Sequence, residues 1–77
     1  MKTTKKQEFE ADYKNSLALF GEITQMIISV KLPTGAKEMI INTQDIPNKY
    51  QYYINAYDDD MKLKTCPSIQ IVGCMFV

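Results

Sequence analysis

The chain is 77 residues long, 45% apolar, and carries nine lysines against nine acidic residues for a formal net charge of zero. That length holds one domain with a single small core, and that apolar fraction argues against disorder. Arginine and histidine are both absent, which removes the bidentate fork that reads guanine or clamps phosphate and the usual acid–base residue and metal ligand, so direct nucleic-acid binding and histidine-based catalysis are set aside.

The first predicted element is a helix. Thr4–Gln7 has the form of a capping box, and Phe9, Tyr13, Leu17 and Phe20 follow as one apolar stripe that Gly21 ends. Glu10 and Lys14 stand i,i+4 in the favourable order. The lysines of the opening stretch MKTTKKQEFEADYK are not followed by an apolar h-region, so a signal peptide is not expected.

EITQMIISVKL, residues 22–32, reads as a strand with Thr24, Met26, Ile28, Val30 and Leu32 on one face and Ile23, Gln25, Ile27, Ser29 and Lys31 on the other. Pro33–Ala36 is a turn and residues 37–43 return as the second arm of a hairpin. Asp45 is the expected N-cap of a second helix that Ile46 and Pro47 open. Ile46, Tyr50, Tyr53, Ile54 and Tyr57 form its apolar stripe, while Tyr52 projects on the opposite face with Asn48 and Asn55.

Asp58, Asp59 and Asp60 would oppose the dipole at that helix's C-terminus, so the helix is expected to end near Tyr57 and the aspartates to occupy a loop. After MKLK and Pro67, SIQIVGCMFV is the last strand. It is apolar on both sides, with Ile69, Ile71, Met75 and Val77 on one and Val72, Cys74 and Phe76 on the other. The order α-β-β-α-β with a right-handed crossover predicts an α+β domain spanning 1–77, with a three-stranded, mostly antiparallel sheet in the order 2-1-3. The second sheet face would be covered by the first helix or by a partner.

Little in this chain can do chemistry. Adjacent aspartates point apart and lack the EF-hand spacing, and Cys66 and Cys74 are eight apart without a zinc pattern. The serines have no histidine to activate them. No cofactor, metal or catalytic residue is expected, and the protein reads as a non-enzyme. The cysteines read as free thiols, Cys74 a small core residue and Cys66 in a loop, in a soluble cytoplasmic protein. No apolar run approaches the ~18 residues of a membrane span. Two surface features remain, each with an ordinary alternative. Asp58–Asp60 is either a solvated loop or an acidic epitope for lysine and arginine on a partner, and Tyr52 is either a plain exposed aromatic or an interface anchor.

EITQMIISVKL, the turn, EMIINT and the helix to Tyr57 resemble, in their order, small anti-CRISPR proteins of the type II-A inhibitor class, which are prophage-encoded; the likeness is strongest over Ile23–Val30, where ITQMIISV is similar to the first strand of one such inhibitor. That class mimics DNA with an acidic surface; here the acid is concentrated at Asp58–Asp60. From Leu32 to Val77, the stretches LPTGA, YYINAYDDDMKLK and PSIQIVGCMFV resemble small proteins of phages infecting low-GC Gram-positive bacteria. The lysine-, isoleucine- and tyrosine-rich, arginine-free composition fits such a genome. The resemblance implies a phage protein, acting in the host cytoplasm, that binds a host protein and blocks the nucleic-acid channel of a defence nuclease. Tyr52, Asn55, Asp58, Asp59 and Asp60 would then contact the partner. The alternative is a homodimeric or larger accessory phage protein that buries Val72, Cys74 and Phe76.

Overall fold

A computed structural model describes residues 3–77 as α1 (Lys5–Phe20), β1 (Met26–Lys31), β2 (Lys37–Asn42), α2 (Ile46–Ala56), β3 (Lys62–Leu63) and β4 (Cys66–Phe76). The domain is α+β, and its antiparallel sheet has four strands in the order β2-β1-β4-β3. The expected 2-1-3 order is present as β2-β1-β4. The expected count of three strands is corrected by β3, two residues that pair with β4 beyond it.

The capping box opens α1 as the spacing predicts. Gln7 N–H donates to Thr4 Oγ1 at 3.1 Å, and Thr4 N–H donates to Gln7 Oε1 at 2.8 Å. Gly21 ends the helix at φ 77°, a conformation that costs a glycine little, and its N–H donates to the Leu17 carbonyl. Only the first half of the apolar stripe is buried: Phe9 and Tyr13 are in the core, whereas Leu17 and Phe20 are exposed. The reason is an open groove of about 350 Å³ between the C-terminal end of α1 and the N-terminal end of α2, lined by Leu17, Ile23, Ile46 and Pro47 among others.

Both helices pack on one face of the sheet. Phe9, Tyr13, Ile46 and Tyr53 form a single cluster with Met26, Ile28, Val30, Ile71 and Phe76. Tyr50 stacks on Tyr13 at 3.7 Å between ring centroids and on Phe9 at 5.6 Å. Phe76 meets both Phe9 and Tyr13 at 5.8 and 5.7 Å. Asn42 ties α2 to the sheet by donating from Nδ2 to the Met26 carbonyl and to the Tyr53 hydroxyl. The result is a two-layer slab, 36 × 32 × 17 Å along its principal axes.

Two expectations about side-chain facing are corrected by irregular backbone. Residues 22–25 are not in β1, so Ile23 is buried although simple alternation from Met26 puts it outside. Thr24 and Gln25 instead donate their N–H groups to the Val77 carbonyl. In β4 the register slips by one between Ser29/Gly73 and Val30/Ile71, so Val72 has no partner across the strand. The bulge puts Ile71, Cys74 and Phe76 on the helix side and Met75 on the outside, and leaves Val72 exposed. Val72, Cys74 and Phe76 are therefore not a surplus face: Phe76 is core, and Cys74 packs against it.

Phe76→Ala should cost ~3–5 kcal/mol, as for an aromatic cut from a packed core, while Met75→Ala should stay within ~0.5 kcal/mol because that side chain is exposed. Denaturant unfolding of the two variants measures the difference. Equal losses would mean that the bulge does not set the facing of β4.

Candidate functional site

The stretch from Tyr52 to Asp60 contributes to two different places. Tyr52 and Asn55 are exposed on α2, Tyr52 being 56% accessible with its ring edge-on to Tyr53 at 5.3 Å. Asn55 Oδ1 accepts from Gln51 Nε2 one turn earlier. The aspartates belong to a tight turn after the helix. Asp58 N–H donates to the Lys62 carbonyl and Met61 N–H to the Asp58 carbonyl, both at 2.9 Å, with Met61 left-handed at φ 60°. That is a type I turn followed by a left-handed residue, the wiring also seen at Leu32–Ala36, where Gly35 takes the positive φ. Met61 tolerates the conformation without a glycine because its side chain is only 2% accessible, and its burial offsets the backbone strain.

The three carboxylates are not equivalent. Asp58 Oδ1 accepts from the N–H groups of Asp60 and Lys62, both at 2.9 Å, so this side chain builds the turn. Asp59 and Asp60 are exposed, and their backbone carbonyls anchor the turn: Lys6 N–H in the first turn of α1 donates to Asp59, and Gln70 Nε2 donates to Asp60. Lys6 Nζ donates to the Ile54 carbonyl at 2.8 Å, placing a cation at the C-terminus of α2. The expected electrostatic burden of the aspartates on α2 is thus answered by Lys6 and by the N-terminus of α1 nearby. Asp45 occupies the N-cap position but makes no capping bond; it is left-handed, and its carboxylate accepts from Asn48 Nδ2.

The surface that periodicity missed is the outer face of the sheet. Strand register sets Ile27 between Ile41 and Met75, and Ser29 between Met39 and Gly73. Met39, Ile41 and Met75 are 65%, 60% and 58% accessible, and among the described residues no helix covers them. Lys31 and Lys37 lie opposite each other at one end of this face. Gln70 pairs with Lys31 and reaches the Asp60 carbonyl, which brings the aspartate turn to its far rim. The signal available in the sequence was KEMIIN, whose apolar residues fall on both faces of an edge strand.

A second groove, of about 400 Å³, lies between α1 and β4 and is lined by Glu8, Phe9, Asp12, Met61, Ile71 and Cys74, among others. Both cysteines are free, and Cys74 Sγ donates to Asp12 Oδ2 at 3.8 Å. Burial, and after it the Asp12 carboxylate, pushes the Cys74 thiol up to about 11. The groove offers no activated nucleophile. Burial, with Glu10 and Tyr13 adding to it, also raises Tyr50; burial, with Tyr52 and Tyr53, raises Tyr57. Among the described residues no three histidine, cysteine or carboxylate side chains converge as a metal site, and no helix is long and apolar enough to cross a membrane.

Compared with known proteins, the chain matches no family model, no curated protein and no solved structure.

Asp58→Ala should cost ~1–3 kcal/mol by leaving two turn N–H groups without their acceptor, whereas Asp59→Asn and Asp60→Asn should stay within ~0.5 kcal/mol. Thermal melts that leave Asp58→Ala level with the parent would remove the turn-building role. Because Cys74, Tyr50 and Tyr57 are all raised in the folded state, the stability they contribute is whole at neutral pH and lost as pH climbs. For Cys74 the loss begins at its ordinary value of 9.0 and runs to about 11. Cys74→Ala should flatten the first part of that fall in a pH series of unfolding curves. At pH ~8, Cys74 in the folded protein should alkylate on the order of a hundred times more slowly than in the denatured chain, a rate that mass spectrometry reads directly.

Proposed function

We propose that this chain is a non-enzymatic inhibitor that binds a host defence protein, an RNA-guided CRISPR nuclease first among them, and occludes its nucleic-acid channel. The observation that carries the reading is the uncovered sheet face. An antiparallel sheet with one face in water ordinarily shows polar residues there; this one shows Ile27, Met39, Ile41 and Met75. Exposed apolar patches of this kind mark interaction surfaces, and methionine adapts its shape to a partner. The resemblance of Ile23–Val30 to the type II-A inhibitors, and of Leu32–Val77 to small phage proteins, supports the choice of target.

In this reading the open face docks on protein surface beside the channel. Asp59 and Asp60, whose carboxylates are not needed for the turn, meet lysines or arginines that otherwise hold phosphate. Asp58 acts indirectly by holding the turn in shape. Tyr52 and Asn55 form a separate polar-aromatic contact on the helical layer. Inhibition comes from occupied space and matched charge, so it needs no catalytic group.

The test is a DNA cleavage assay with a purified guide-loaded type II nuclease, paired with co-elution of the two proteins. Co-elution and loss of cleavage are expected. Met75→Lys should weaken inhibition about tenfold or more, and the Asp59→Asn/Asp60→Asn double variant should slow association by an amount that shrinks as salt rises. Undiminished cleavage without co-elution, across nucleases from low-GC Gram-positive hosts, would overturn the proposal.

A further inference from the structure

The two edges of the sheet differ in how they end. On one side β3 is two residues long, Tyr57 bridges to Leu63, and Lys64 N–H donates to the Ala56 carbonyl, so the end of α2 closes that edge. On the other side β2 runs six residues in unbroken register with β1, exposed at every position but Asn42. Edge strands are ordinarily guarded by proline, a bulge or charge. Here the charges, Lys37 and Glu38, sit at one end, and Met39, Ile40 and Ile41 follow without a guard.

The ladder fixes which backbone groups of β2 are free. Leu32 N–H donates to the Ala36 carbonyl, making Leu32/Ala36 a hydrogen-bonded pair. Pairs alternate from there along an antiparallel ladder. Val30/Glu38, Ile28/Ile40 and Met26/Asn42 are therefore hydrogen-bonded pairs, and Lys31/Lys37, Ser29/Met39 and Ile27/Ile41 are not. The N–H and C=O groups of Met39 and Ile41 point away from β1 into the open edge.

We propose that this edge pairs with the β2 edge of a second copy of the chain, antiparallel, about a two-fold axis at Ile40. An axis perpendicular to the sheet keeps each residue on its own face, so the axis must pass through a residue rather than between two. Centred on Ile40, it sets Met39 opposite Ile41 of the second copy, Ile40 opposite its own counterpart, and Glu38 opposite Asn42. The free N–H and C=O groups of Met39 and Ile41 then meet each other. A centre at Met39 would set Lys37 against Ile41 and Glu38 against Ile40; a centre at Ile41 would set Ile40 against Asn42. Only the Ile40 centre matches every apolar residue with an apolar one. It also complements charge, because antiparallel pairing carries the Lys31/Lys37 end of one copy toward the Asp45 end of the other.

The pair has one continuous eight-stranded sheet, with the open apolar faces of both copies on the same side. The junction alone falls below the ~1,200 Å² of ordinary specific interfaces, which places association in the micromolar range, ~1–100 µM. The pairing stands independently of nuclease inhibition, and each can fail without the other.

Sedimentation equilibrium over a concentration series tests it, with the parent expected to shift from 8.9 kDa to twice that mass. Ile40→Lys and Ile40→Glu should each remain monomeric, and their equimolar mixture should dimerise again, since the axis sets the two side chains face to face. Met39→Pro removes an N–H that points out of the fold, so it should abolish the dimer while the cooperative melt is kept. Met75→Lys, off the edge, should leave the dimer intact. A parent that stays monomeric up to ~1 mM overturns the proposal. So does a dimer that survives Met39→Pro and is lost in Met75→Lys, which would mean that the sheets stack face to face.

Discussion

Tyr50 lies between Phe9 and Tyr13, and this aromatic seam joins the two helices into a single layer. The rest of the structure depends on it. With Phe76 beneath, the seam sets where α1 and α2 rest on β1 and β4, and so which face of the sheet is dry. A chain of this size has one small core. Both helices are used on one side of it, so among the described residues no element is left to cover the other side. The apolar residues of the outer face are therefore available for contact with another molecule.

A second constraint ties the ends of the helices together. Lys6 gives its backbone N–H to Asp59 and its ammonium to Ile54, so the start of α1 caps the end of α2. Opposite partial charges of the two helix ends meet there. Asp58 folds the intervening turn, Met61 inserts its side chain beneath it, and β3 starts one residue later. A stretch that reads as a solvated acidic loop is thus a joint between both helices and the sheet.

Much of the fold was legible because local chemistry and tertiary packing agree in those segments. The Thr4/Gln7 box, the Gly21 stop, the Pro33–Ala36 turn and the tyrosine stripe of α2 each carry a mechanism that acts within a few residues. β3 was not legible because its turn uses Met61 in place of the glycine that ordinarily marks a left-handed position. The facing of β4 was lost at Val72, since a bulge changes parity and leaves no mark in composition. The exposure of the second half of the α1 stripe was not legible because periodicity shows where a helix could be buried, and only the groove beside Leu17 shows where it is not. For the candidate site, the exposure of Tyr52 could be read from the helix phase. The commitment of Asp58 to backbone N–H groups could not, because three identical neighbours differ only through their partners. The outer sheet face became visible only once both helices were placed on the same side.

The strand order has a consequence for how the molecule comes to be made. β1 is paired on both sides, but its second neighbour, β4, is separated from it by more of the chain than any other strand partner: Met26 meets Phe76. The β1–β2 hairpin closes through a local turn and needs only short-range search. The opposite flank of β1 then stays unsatisfied until residues 70–76 have left the ribosome. During that interval Met26, Ile28 and Val30 lack the core residues Ile71 and Phe76 that β4 brings, and both margins of the hairpin offer pairing groups to any neighbour. Nascent chains of this protein thus face their greatest hazard of misassembly before β4 arrives, and synthesis speed sets how long it lasts.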